Sequence, residues 1–250
     1  MNNIQKFDGN YISDENMRSF LMMGQSNMAG RGNIADVEPI KNFRTYMLRN
    51  GRFIRMSEPV NPDRAIFEGN TRSGISLAAS FADELAKNDK SKVGLIPCAD
   101  GGTKLCEWMP GTILYDNAVF QAKLAMRTSK IGGVLWHQGE SDCEFDEDVY
   151  SYKERFVKMI KELRRELMNP ELPVIIGELS ENISEHWHLS DRPTKLNKIF
   201  REIVSELDFC ALASSEGLNL KDDGIHFTAE SQRIFGKRYY DAYKTIQIKP

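Results

Sequence analysis

Phe20-Leu21-Met22-Met23-Gly24-Gln25-Ser26-Asn27-Met28 places a short apolar run directly before a Gly-Gln-Ser turn signal. Such a nearly continuous apolar run reads as a strand buried on both faces, the kind that fills the middle of a parallel sheet. A strand ending in Gly-X-Ser can hold one serine hydroxyl at the sheet edge while the serine N–H stays free to donate, which suits a nucleophile. Met28 stands where the second glycine of a Gly-X-Ser-X-Gly elbow would be, and a serine after a strand also serves as a turn former or helix N-cap. Two further segments bear on the choice: Trp136-His137-Gln138-Gly139-Glu140-Ser141-Asp142 and Asp222-Asp223-Gly224-Ile225-His226-Phe227-Thr228.

Outward from residues 19–24, similar apolar runs recur at 92–98, 131–137, 173–179 and 208–214. The segments between them have helical spacing. Leu77, Ala78, Phe81, Ala82 and Leu85 form one stripe within 75–87, and Tyr152, Phe156, Met159, Ile160, Leu163 and Leu167 another within 149–167. Residues 114–127, 196–207 and 229–246 supply the remaining helices. This alternation predicts a doubly wound α/β fold with a central parallel sheet of about five strands. An excursion between Gly30 and Ser73 carries a hairpin signal, Asn50-Gly51, flanked by Thr45-Tyr46-Met47-Leu48 and Phe53-Ile54-Arg55-Met56. A second loop, 180–192, carries His186, Trp187 and His188. No repeat or linker divides the chain, so residues 1–250 read as one domain. Ser26 follows the first predicted strand, Gly101-Gly102 the second and Gln138 the third, while Asp223 and His226 come after the fifth. All therefore fall at the carboxyl end of the sheet, where open α/β sheets bind ligands.

Together these segments resemble the SGNH (GDSL-like) hydrolase superfamily and, within it, the sialate O-acetylesterase and carbohydrate esterase family 6 branch. The likeness lies in residues 20–32, 96–108, 134–142 and 214–239, in the family's order, and so spans nearly the whole chain. It implies a three-layer α/β/α, flavodoxin-like fold and a serine esterase that removes acetyl groups from a carbohydrate. It also implies that no metal or organic cofactor is required.

Serine needs a base. His226 lies three residues after Asp223, with Gly224 between to permit a tight turn. That spacing lets the carboxylate meet Nδ1 and leaves Nε2 to face Ser26. The same residues also read as a helix cap, Asp222-Asp223, beside a surface histidine; the resemblance favours the catalytic reading. His137, with Glu140 three residues on, is the rival base, but it closes an apolar strand and suits a buried structural role. Donors for an oxyanion are on offer at the Ser26 N–H, the Gly101-Gly102 main chain and the Gln138 side-chain amide. In the SGNH pattern an asparagine usually supplies the side-chain donor, and in the acetylesterase branch Gln138 takes that place. Arg31, Arg72, Trp108 and Trp187 are candidates for the pocket wall, with Trp108 read either as a sugar-stacking ring or as core.

A net charge of −3 gives no reason to expect nucleic acid or an anionic membrane as partner, and 28% charged residues suit a soluble surface. Residues 1–16 are polar and lack a signal-peptide core, so the chain reads as cytoplasmic, although a leader already removed would leave the same sequence. Cys98, Cys106, Cys143 and Cys210 have no disulfide-scaffold spacing, and Cys98, Cys106, Cys143 and His137 match no usual zinc pattern. The expected partner is an acetylated carbohydrate, such as sialic acid or acetylated xylan. The alternatives are a lipid esterase or thioesterase on the same fold and an inactive carbohydrate-binding protein.

Overall fold

The computed structural model describes residues 17–62, 73–183 and 187–247. Its strands are β1 (Met17–Gly24), β2 (Thr45–Arg49), β3 (Arg52–Arg55), β4 (Lys92–Pro97), β5 (Lys130–His137), β6 (Val174–Gly177) and β7 (Cys210–Ala213). They form one seven-stranded sheet in the order β3-β2-β4-β1-β5-β6-β7. Every neighbouring pair is parallel except the β2–β3 hairpin.

The sheet is two strands wider than the apolar runs suggest, because the Asn50-Gly51 hairpin joins it. Asn50 and Gly51 both have positive φ, as a tight hairpin turn requires. β2 buries Met47 and Leu48 and pairs with β4 from Thr45↔Val93 to Met47↔Leu95. β3 carries the exposed Arg52 and Arg55 and forms a charged edge, which discourages pairing with another chain.

The helices are α1 (Ser26–Ala29), α2 (Leu77–Asn88), α3 (Ile113–Ala125), α4 (Asp146–Tyr150), α5 (Tyr152–Glu166), α6 (Arg192–Glu206) and α7 (Ala229–Gln247). The helix expected over 149–167 begins earlier and breaks at Ser151, whose hydroxyl turns back to donate to the Glu147 carbonyl at 2.6 Å. β1 shows how the layers arise. Its alternate residues Phe20 and Met22 pack under α2 and α7, whereas Leu21 and Met23 join the core beneath α3, α5 and α6. All four are fully buried, so the strand is apolar on both faces. The result is the expected α/β/α sandwich.

β4 lies on one side of β1 and β5 on the other, so the chain changes direction at the carboxyl end of β1. Loops that part there leave a crevice between them. Gly24 closes β1 with φ +133°, and a Cβ on it would fall 2.0 Å from the His137 carbonyl oxygen. Gly24→Ala is therefore expected to cost about 3 kcal/mol or more of folding stability, measurable by urea unfolding. A variant of wild-type stability would show that the close approach can relax.

Candidate active site

Main-chain bonds tie the end of β1 to both neighbouring loops. The Asp100 N–H donates to the Gly24 carbonyl at 3.0 Å, and the Gln25 N–H to the His137 carbonyl at 2.9 Å. The chain then turns into α1, where Met28 and Ala29 donate to the Gln25 carbonyl and Gly30 to that of Ser26. The N–H groups of Ser26 and Asn27 come at the start of this turn, ahead of its hydrogen-bond pairing. Met28, in place of the elbow's second glycine, is fully buried in the core under α2.

His226 reaches Ser26 from the loop before α7. Its Nε2 lies 2.9 Å from Ser26 Oγ, and its Nδ1 lies 2.9 Å from Asp223 Oδ2. The other carboxylate oxygen of Asp223 accepts from the main-chain N–H of Ile225 at 3.1 Å and of His226 at 2.9 Å, so one side chain both shapes the loop and orients the ring. Burial would raise the Asp223 carboxyl, but these N–H bonds and the imidazole outweigh it and hold the group below its ordinary value. With Asp223 ionised, the proton of a neutral imidazole sits on Nδ1 and Nε2 is left to accept from the serine hydroxyl. Lys221 closes the same loop: its N–H donates to the His226 carbonyl at 2.7 Å, and its Nζ donates to the Arg31 carbonyl at 3.0 Å.

Gln138 takes a different place from the one its sequence suggests. It is 0% exposed. Its Nε2 donates to Asp142 Oδ2 at 2.6 Å and to the Thr103 carbonyl at 2.9 Å, while its Oε1 accepts from the Tyr152 hydroxyl at 2.8 Å. Both amide hydrogens are thus committed inside the protein, and the side chain is a weld between the loops after β4 and β5 rather than a free oxyanion donor. Gly101 lies beside the serine instead, since a Cβ on it would stand 3.5 Å from Ser26 Cβ and 2.7 Å from Arg31 Nη2. Gly102 is exposed, with open space where a side chain would go.

Trp108 is likewise a core residue. It is 0% exposed, donates from Nε1 to Thr103 Oγ1 at 3.1 Å, and meets Trp136 edge to face at 5.6 Å. The 3-10 turn Leu105–Trp108 folds it onto the sheet, leaving no ring face for a sugar. Trp187 is 50% exposed and donates from Nε1 to the Asp223 carbonyl at 3.0 Å, which puts an open indole beside the Asp223–His226 loop. Arg31 is buried against Gly101. Arg72 and His186 lie outside the described residues. His137 is buried, with Nε2 3.2 Å from Glu140 Oε1, and so is closed off from solvent.

Three residues given no role by the sequence contribute here: Asn27 and Asp142, which lie inside the quoted segments, and Lys221. Their long-range partners, the Ile225 carbonyl, the Leu105 N–H and the Arg31 carbonyl, are 37 to 198 residues away along the chain. Among the described residues no group of three or more His, Cys, Asp or Glu side chains is placed to hold a metal ion, and all four cysteines are free. A cavity of about 820 Å³ lined by Val157, Arg164, Met168 and Phe209 lies at the opposite, amino-terminal ends of β6 and β7 and includes none of the residues above.

A family model described as carbohydrate esterase, sialic acid-specific acetylesterase matches residues 16–245. The chain belongs to this family. It is an ester hydrolase of the carbohydrate esterase class. It is 30% identical over 243 residues to a probable carbohydrate esterase of Arabidopsis thaliana, At4g34215, covering 90% of this chain and 89% of that one. The solved structure of that protein superposes with a TM-score of 0.80 at 27% identity, over 92% of this chain and 98% of the other. NanS, at 17% identity and a TM-score of 0.73, covers 92% of this chain and 97% of its own. A carbohydrate acetylesterase of Xanthomonas citri, XAC1771, at 19% identity and a TM-score of 0.64, covers 92% of this chain and 56% of its own. The last two likenesses show that the fold is shared.

Asp142 gives the family member a pH signature. Burial pushes its carboxyl up to about 6, despite the bonds from Gln138 and the Leu105 N–H and the nearby Arg155. Between the ordinary carboxyl range and that value the native state holds a proton that the unfolded chain releases, so this group's contribution to stability falls as pH rises. Asp142→Asn should accordingly gain stability relative to wild type as pH goes from about 4 to about 7. Melting curves of the two proteins across that range test this, and a difference independent of pH would contradict it.

Proposed function

We propose that this esterase removes O-acetyl groups from a carbohydrate through an acetyl-serine intermediate. Ser26 attacks the acetyl carbonyl as His226 Nε2 takes its proton. His226 then returns the proton to the departing sugar oxygen. Water, deprotonated by the same imidazole, attacks the acetyl-serine and releases acetate. Asp223 holds the ring and stabilises the imidazolium. The observation that carries this reading is the unbroken run Asp223 Oδ2–His226–Ser26 Oγ, with both contacts at 2.9 Å, past the end of β1.

The oxyanion falls to the Ser26 N–H and the Gly101 main chain, which lies against the serine. Arg31 and Trp187 flank the site, and the exposed indole suits the apolar face of a sugar ring. The acetylated sugar is sialic acid, in keeping with the family's description, or another glycan such as acetylated xylan.

Ser26→Ala should lower kcat by about 10⁴-fold or more. Acetate release from p-nitrophenyl acetate and a panel of acetylated sugars tests this, and turnover surviving in the variant would sink the nucleophile. Trp187→Ala should raise KM for the acetylated sugar more than for p-nitrophenyl acetate; an equal change for both would deny the stacking role.

A further inference from the structure

Asn27, the residue after the serine, is 1% exposed, and its side chain faces three ways at once. Nδ2 donates to the Ile225 carbonyl at 3.1 Å, and Oδ1 accepts from the Phe227 N–H at 3.1 Å. These are the main-chain groups immediately before and after His226. Nδ2 also donates to Glu140 Oε1 at 2.6 Å. Asn27's own carbonyl accepts from Gln232 Nε2 on α7 at 3.1 Å.

We infer that Asn27 is the positioning residue that sets the distance between Ser26 and His226, with the buried carboxylate of Glu140 as its anchor. The inference rests on the triad reading above. His226 and Asp223 sit on a loop at the surface, with side chains 21% and 37% exposed, and 200 residues separate the histidine from the serine. A loop so placed needs a fixed reference on the nucleophile's own segment. Asn27 supplies it, because a single planar amide grips the main chain on both sides of the ring. The amide cannot rotate without losing an acceptor for Phe227 or a donor for Ile225 and Glu140.

Glu140 makes that orientation one-sided. It is buried, which would raise its carboxyl, but His137 and Asn27 outweigh the burial and hold it below the ordinary range. A hydrogen bond to an ionised acceptor is shorter and about twice as strong as a neutral one. The carboxylate is itself braced by His137 Nε2 at 3.2 Å, on the last residue of β5. The geometry of the catalytic pair is thereby referred to the sheet rather than to the loop. An error of about 1 Å in such a pair costs about 10²-fold in rate, so the clamp should be read in kcat rather than in binding.

The test uses the full chain with Asn27→Ala, Glu140→Gln and Ser26→Ala beside wild type. Readouts are kcat and KM on p-nitrophenyl acetate, the second-order rate of Ser26 labelling by a fluorophosphonate, and the melting temperature. Asn27→Ala should lose about 10²-fold in kcat and in labelling rate together, with KM changed by no more than about twofold. Glu140→Gln should lose about 10-fold in the same two quantities, because it keeps the shape and removes the charge. Should Asn27→Ala fail to fold, Glu140→Gln decides alone. Wild-type kcat and labelling in folded variants would overturn the inference. Loss in Glu140→Gln as complete as in Ser26→Ala would also overturn it, by putting the carboxylate in the chemistry. A wild-type protein that neither hydrolyses esters nor labels at Ser26 would instead overturn the triad reading itself.

Discussion

Gly24 lies with its α-carbon so close to the His137 carbonyl that no side chain fits, and its own carbonyl is held by the Asp100 N–H. At this point three parallel strands end side by side, and the loops that leave them diverge. Everything the site uses is placed relative to that junction. Ser26 is two residues beyond it, the Gly101 segment leaves β4 beside it, and Gln138 and Glu140 follow β5 across it. A bulkier residue at position 24 would push β1 from β5 and move all of them together. Glycine is required there for space as well as for φ.

Several buried polar side chains around the junction are linked to one another in runs. Trp136 Nε1 donates to the Tyr152 hydroxyl, which donates to Gln138 Oε1, and the Gln138 amide serves Asp142 and Thr103. Polar groups out of reach of water are costly when unpaired, so a run of this kind defines one arrangement of two loops. Asn27 and Glu140 do the same on the other side of the serine. The groups proposed to react are more open: His226 and Asp223 keep some exposure, which suits a site that admits a carbohydrate. Buried, hydrogen-bonded residues supply rigidity, and in the proposed mechanism partly exposed ones supply the reaction.

That division also separates residues of similar appearance in the sequence. His137 and His226 each have a carboxylate three residues away, at Glu140 and Asp223. His137 ends a central strand and is sealed beneath aromatic rings of Phe227 and Phe235. His226 sits on a loop that reaches over the carboxyl end of β1. The same spacing thus yields a buried brace in one place and, in the proposed mechanism, a base in the other.

The sequence by itself determined the layers and the end of the sheet that carries the site. Continuous apolar runs such as Phe20–Met23 can be satisfied only between two helical layers, and turn residues after several strands mark their carboxyl ends. The Ser26, Asp223 and His226 grouping was also legible, since Asp223 and His226 share a turn, Ser26 follows a strand, and the resemblance to SGNH hydrolases favoured reading them together. Only the tertiary structure decided the rest. The sheet's seventh and sixth strands depended on β2 finding β4, a pairing no local pattern encodes. Gln138 and Trp108 carry groups that would suit a substrate, but Asp142, Thr103 and Trp136 meet them first, inside the core. Asn27 had no role assigned until the fold brought Ile225 and Phe227 to it across nearly 200 residues. Residue type fixes what a side chain can donate or accept, whereas packing fixes which partner arrives.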